Sequence, residues 1–268
     1  MSKLTLFHNV YRATEVSDDQ AQDLVLLHGW GLHSIVWDEV MPELLKKHRV
    51  TVIDLPGMGQ SPMPGGHYNM DYIVEHVLTV APVQAIWLGW SLGGMVAAKV
   101  AASHPERVSR LITVASSPKF MATEDWPYAM PEKVLEGFYQ VFLEDSEGTL
   151  IRFLALQCKG SDRYKEDVRQ LKDMLYFCGL PATKALRSGL EILRDVDLRE
   201  DIKNITVTSL HIFGEKDHLV PVAVAEKVSE LYGDQGKVAV LQQVAHVPHI
   251  TCPNIFVEAV NDFLQAAV

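Results

Sequence analysis

The sequence predicts an α/β fold built on a mostly parallel, doubly wound sheet, and three observations carry that reading. Leu24-Val25-Leu26-Leu27-His28, Val50-Thr51-Val52-Ile53-Asp54 and Leu111-Ile112-Thr113-Val114-Ala115 are nearly continuous apolar runs, the mark of strands buried on both faces. Stretches of helical periodicity separate them, and strands alternating with helices at this spacing imply parallel pairing. The run Ala85-Ile86-Trp87-Leu88 leads through Gly89-Trp90-Ser91-Leu92-Gly93 directly into the helical stretch 95–102, a strand–turn–helix junction with a serine between glycines.

Taken in order, residues 4–8 read as an edge strand, followed by a polar loop through Ser17-Asp18-Asp19-Gln20. The strand 24–28 ends at Gly29-Trp30-Gly31, and a helix is expected over 36–47 with Val40, Leu44 and Leu45 facing inward. Strand 50–54 closes in the turn-rich loop Leu55-Pro56-Gly57-Met58-Gly59-Gln60-Ser61-Pro62. Ile73, Val74, Val77 and Leu78 give 70–80 a helical face. After the serine junction and a turn at 104–108 comes strand 111–115. From Lys119 the alternation stops, and through Arg187 the chain shows helical patterns only, over 131–143, 150–157 and 163–177. It resumes with strand 207–213, helix 222–231, strand 237–241 and helix 255–266. The expected organisation is one core from 1–118 and 188–268, with an all-helical cap at 119–187. Such an insertion would lie over the carboxyl ends of the strands, where open α/β sheets bind ligands, and so above Ser91.

The net charge of −10, from 24 basic and 34 acidic residues, argues against nucleic acid as a partner. No apolar run reaches the length of a membrane span, and the first residues turn polar before a secretory signal could form. Cys158, Cys178 and Cys252 are odd in number and lack metal-ligand spacing, so they read as reduced thiols of a cytoplasmic protein.

The glycine-flanked serine has a steric logic. A strained backbone with positive φ would hold the Ser91 hydroxyl out above the sheet, and small residues let strand and helix approach. A serine hydroxyl needs a base, and the base needs an orienting carboxylate. In folds of this class they follow in the order Ser, acid, His. Asp217 in Phe213-Gly214-Glu215-Lys216-Asp217-His218 and His246 in Val244-Ala245-His246 each follow a strand end. The catalytic set read from the sequence is therefore Ser91, Asp217 and His246, with Glu215 and His249 the competitors and Asp54 a turn former. An oxyanion hole needs two backbone N–H groups: Leu92 supplies one, and Trp30, between Gly29 and Gly31, is placed for the other. The Trp30 side chain either lines the pocket or packs. His28 reads as structural, bonded to loop backbone.

Together His28-Gly29-Trp30-Gly31, Asp54-Leu55-Pro56-Gly57-Met58-Gly59, Gly89-Trp90-Ser91-Leu92-Gly93 and Ala245-His246 resemble the α/β-hydrolase superfamily. Within it, Ala85 to Gly94, Thr113-Val114-Ala115-Ser116-Ser117-Pro118, Arg152-Phe153-Leu154-Ala155-Leu156-Gln157 and Gly189-Leu190-Glu191-Ile192-Leu193 are similar to the pimeloyl-acyl-carrier-protein methyl ester carboxylesterases of biotin biosynthesis. The resemblance implies a serine esterase without metal or organic cofactor, working as a monomer. It implies substrate contacts from Trp30, Ser91, Leu92, Phe153 and His246, and a carrier protein as the bearer of the ester. It also supports His246 as the base, because His249 stands where that family carries an apolar residue. Other readings of the same set are a general short-chain carboxylesterase, a carbon–carbon bond hydrolase and a hydrolase-like small-molecule receptor. A haloalkane dehalogenase would want a carboxylate in place of Ser91.

Acyl-carrier proteins are acidic, so a basic docking surface is expected. Between Arg152 and Arg187 there are eight basic residues against four acidic ones, in a chain that is acidic overall. Lys165 and Arg169 are four apart and share a helix face. Arg152, Lys165 and Arg169 are the docking candidates. Gly148 and Thr149 depart from the family, which carries a further basic residue near the start of that cap helix.

Overall fold

A computed structural model describes residues 5–142 and 144–266. Its centre is a seven-stranded sheet in the order β1-β3-β2-β4-β5-β6-β7. The strands are β1 (His8–Tyr11), β2 (Gln22–Leu27), β3 (His48–Ile53), β4 (Ala85–Trp90), β5 (Val108–Val114), β6 (Ser209–Gly214) and β7 (Gly236–Leu241). Only β1 runs antiparallel, pairing His8 with Ile53 through Tyr11 with Val50. Every residue of β4 and of β6 is buried, as strands covered on both faces must be.

The helices of the core are α1 (Met41–Leu44), α2 (Met70–Leu78) and α3 (Leu92–Ser103) in the first half. Between β5 and β6 lie α4 (Glu132–Phe142), α5 (Ser146–Gln157), α6 (Tyr164–Phe177), α7 (Thr183–Asp195) and the short α8 (Arg199–Ile202). The chain ends with α9 (Val224–Tyr232), α10 (Pro248–Thr251) and α11 (Pro253–Gln265). None of the helices is long and apolar enough to cross a membrane among the described residues.

Four local readings change. The edge strand lies at 8–11 rather than 4–8, with Leu4 outside the described residues. Pairing reaches back to Phe7, whose carbonyl accepts from Asp54 N–H at 3.0 Å. An edge strand is exposed, so the polar His8-Asn9 pair suits it as well as Leu-rich sequence does. The helix expected over 36–47 is a 3₁₀ turn, Ser34–Trp37, followed by α1, because Pro42 has no N–H to continue an earlier helix and sits instead in the first turn of a new one. In the helical insertion, Leu143 lies outside the described residues, and α5 starts at Ser146, four residues before the expected Leu150. The Asp145 carboxylate caps it by accepting from Gly148 N–H at 2.8 Å. A side chain at 148 would place its Cβ 1.9 Å from that carboxylate, so the glycine that interrupts the basic pattern serves the cap. Finally, α7 crosses the boundary expected at 187, burying Ala185, Leu186, Gly189, Leu190 and Leu193 along one face.

All three cysteines are free. Burial pushes the Cys158 thiol up to about 12 and the Cys252 thiol up to about 11. Neither is a ready nucleophile.

Candidate active site

The junction between β4 and α3 is built from close backbone contact. A Cβ at Gly89 would lie 2.1 Å from the Gly93 carbonyl, and one at Gly93 would lie 2.4 Å from that of Leu27. Glycine at both positions lets helix and strands touch. Ser91, between them, takes φ 55° and ψ −118°, a left-handed conformation that a serine holds only under constraint. The constraint is visible. Ser91 N–H donates to Val114 O at 2.9 Å, and Ser116 Oγ donates to Ser91 O at 2.8 Å.

That backbone aims the Ser91 hydroxyl at His246, whose Nε2 lies 3.0 Å from Oγ. Nδ1 of the same ring lies 2.7 Å from Asp217 Oδ2. The other carboxylate oxygen of Asp217 accepts from the N–H groups of Leu219 and Val220, at 2.8 and 2.9 Å. One oxygen thus orients the imidazole while its neighbour is fixed by the loop. Exposure is 2% for Ser91, 5% for Asp217 and 0% for His246, so the contacts operate away from water, where they are strong. The loop that carries His246 is held from two sides. Its N–H donates to Gln157 O at the end of α5, and its carbonyl accepts from Trp90 Nε1–H at 2.8 Å.

The competitors are elsewhere. Glu215 accepts from the backbone and side-chain N–H groups of Gln243, tying two exposed loops. His249 is sealed among Trp37, Trp90 and Phe256, with ring centroids 4.5, 4.9 and 6.0 Å away, and neither of its nitrogens has a partner among the described residues. Burial, and then the nearby His246, push it down to about 3. Asp54 accepts from Ser34 and Gln60 N–H and organises its turn. His28 donates from Nδ1 to Gly29 O and accepts at Nε2 from Leu55 N–H, and burial lowers it to about 4.

Leu92 follows the serine as the first residue of α3, and Trp30 lies in the loop after β2. Among the described residues, no acceptor is hydrogen-bonded to either backbone N–H. The Trp30 indole packs: it is 1% exposed, donates to Leu186 O at 2.8 Å and meets Phe153 edge-on at 4.8 Å between centroids. Phe153 in turn meets Phe138 of α4 edge-on at 5.5 Å between centroids. Arg152, Lys165 and Arg169 lie outside this pocket, on the exposed surfaces of α5 and α6. Arg152 is 3.8 Å from Asp145.

The family model described as the alpha/beta hydrolase fold matches residues 24–253. The chain is an α/β hydrolase. Curated relatives narrow the group. A pimeloyl-[acyl-carrier protein] methyl ester esterase of Aeromonas hydrophila is 44% identical over 246 residues, which cover 91% of this chain and 96% of the relative. One from Pectobacterium atrosepticum is 45% identical over 248 residues, 91% and 94% of the two chains. This α/β hydrolase therefore belongs to the family of those esterases. Among solved structures, an esterase from Exiguobacterium antarcticum superposes with a TM-score of 0.84 at 20% identity, covering 97% of this chain and 96% of its own. A bromoperoxidase from Bacillus anthracis superposes with 0.82 at 22%, covering 97% and 95%. Those two share the fold.

Three contacts of this α/β hydrolase had no counterpart in the sequence reading: Trp90 to His246, Gln157 to His246, and α7 to Trp30. The signal for the last was present as Gly189, a glycine in the middle of an otherwise strong helical pattern.

Proposed function

We propose that this chain hydrolyses the methyl ester of pimeloyl-[acyl-carrier protein] to the free carboxylate and methanol. The observation that carries the chemistry is the unbroken line Ser91 Oγ, His246, Asp217, at 3.0 and 2.7 Å, on a strained serine backbone. The relatives at 44–45% identity, matched over nearly their whole length, supply the substrate.

Ser91 Oγ attacks the ester carbonyl as His246 Nε2 takes its proton, and Asp217 stabilises the imidazolium. The backbone N–H groups of Trp30 and Leu92 hold the oxyanion. His246 returns the proton to the departing methoxide. It then activates a water that attacks the acyl-enzyme and releases the acid and free Ser91.

With Ser91 only 2% exposed, the ester reaches it by movement of the cap, so residues 119–187, extended to the end of α7, act as a lid; its Phe153 borders the acyl chain together with Trp30 of the loop after β2. Arg152, Lys165 and Arg169 steer the acidic carrier protein to that lid. The enzyme works as a cytoplasmic monomer. Incubating it with methyl pimeloyl-carrier protein and following the intact carrier by mass spectrometry tests the reading. Loss of the methyl group at catalytic enzyme concentration supports it, and an unchanged carrier mass contradicts it.

A further inference from the structure

We propose that Gly189, a residue of α7 far from Ser91 in sequence, is a positioning residue that lets the lid lock the oxyanion loop in its working place. The inference rests on the ester-hydrolase reading above. The loop Gly29-Trp30-Gly31 is squeezed between two layers. Below it, a Cβ at Gly29 would lie 2.9 Å from the Trp90 ring and 3.2 Å from Ser91 Cβ. Above it, a Cβ at Gly31, where φ is +79°, would lie 2.4 Å from Leu150 of α5. Between these glycines the Trp30 indole reaches into α7, where its Nε1–H donates to Leu186 O.

That reach needs a gap in the helix surface, and Gly189 is the gap. A Cβ at 189 would sit 2.5 Å from Trp30 Cδ1 and 2.8 Å from Nε1, closer than real contacts come. The indole is a rigid plane closed off by Phe153 on another side, so it has no rotamer to escape to. Any side chain at 189 therefore moves Trp30 as a body, and with it the N–H assigned to the oxyanion. Misplacing a donor by a fraction of an ångström weakens transition-state binding more than ground-state binding. Helix propensity makes the glycine costly in itself, since alanine is favoured over glycine inside a helix. Its presence is explained by the contact.

The test is Gly189→Ala in the wild-type and in the Trp30→Ala backgrounds, assayed on a p-nitrophenyl butyrate ester so that carrier-protein recognition plays no part. In the wild-type background, kcat is expected to fall about tenfold to a hundredfold with KM changed less than about threefold. Affinity for a trifluoromethyl ketone, which mimics the tetrahedral state, should fall in parallel. In the Trp30→Ala background, where no ring is left to meet the new methyl, the same substitution should cost less than about threefold. A single cooperative thermal unfolding transition in each variant confirms that folding is intact. A separate readout stands apart from turnover. The Trp30 indole N–H cross-peak, assigned by its loss in Trp30→Ala, should shift and exchange faster in Gly189→Ala. Unchanged kcat with an unmoved indole signal overturns the proposal, and so does an equal loss in both backgrounds. If the parent itself turns over no ester, the hydrolase reading fails, and the indole signal still decides whether Gly189 seats Trp30.

Discussion

Trp90 and His246 are joined across the two halves of the site: the indole N–H of the residue before Ser91 donates to the His246 carbonyl at 2.8 Å, and both side chains are fully buried. The residue that precedes Ser91 in chain order thus fixes the loop that must present an imidazole to Ser91. Trp90→Phe removes the donor and leaves a buried carbonyl without its partner, which costs about 1–3 kcal/mol. The expected outcome is a lower midpoint in urea unfolding together with a kcat reduced about tenfold or more, since the base loses one of its two anchors. Full activity with unchanged stability would show that the Gln157 contact holds the loop alone.

Replacing the three aligned side chains should separate their roles. Ser91→Ala is expected to lower kcat by roughly a millionfold, and Asp217→Asn by about ten-thousandfold, because the amide favours the wrong imidazole tautomer. Glu215→Gln, at the loop tie to Gln243, should leave kcat within about twofold. Steady-state assays on a simple ester check all three.

Acid should unfold this protein early. His28, His211 and His249 are fully buried and lowered to about 4, 3 and 3, in each case chiefly by burial. The unfolded chain protonates them near the ordinary value of 6.5, whereas the folded chain refuses the proton until much lower pH. Stability is therefore fully present above about pH 6.5 and is lost as pH falls toward 4. With three protons taken up on unfolding, the slope reaches about 4 kcal/mol per pH unit. Urea midpoints measured from pH 7.5 to 5 check the sign and the steepness.

His249 gives a sharper version of the same test. Its two nitrogens are buried against Trp37 and Trp90 without partners among the described residues. Leucine at 249 removes that burden, so His249→Leu is expected to raise stability by about 1 kcal/mol or more at pH 7, and to flatten the acid slope by one proton. A loss of stability would mean that the imidazole has a partner or packs better than leucine does.

The docking assignment predicts a salt-dependent effect confined to the carrier-bound substrate. Lys165→Glu with Arg169→Glu should lower kcat/KM for methyl pimeloyl-carrier protein about tenfold or more at low ionic strength, with the gap to the parent narrowing as salt is added. Butyrate ester turnover should be unaffected, because both residues are exposed on α6, outside the Ser91 pocket.

Much of this was legible in the chain because buried parallel strands and a glycine-flanked serine are strong local signals. The β4–Ser91–α3 junction is written in consecutive residues, and Asp217 and His246 each follow a strand end, where the topology brings loops together. The edge strand was misplaced because exposure removes the apolar pattern on which such readings depend. The helix over 36–47 failed at Pro42, which sets a boundary that periodicity alone overrides. Least legible were the contacts of α5 and α7 with the loops, Gln157 to His246 and Leu186 to Trp30, which span 89 and 156 positions and involve backbone carbonyls that every residue carries. A backbone acceptor leaves no mark on residue type. Gly189 did leave one, since a glycine inside a helix needs a reason.

The central claim is that Ser91, beneath a lid that recognises a carrier protein, cleaves a carrier-bound methyl ester. The most direct measurement is kcat/KM for methyl pimeloyl-carrier protein beside that for p-nitrophenyl butyrate, with Ser91→Ala as the control. The account predicts that the carrier-bound ester wins by orders of magnitude and that the variant is inactive on both. Equal turnover of the two esters, or hydrolysis that survives the loss of Ser91, would contradict it.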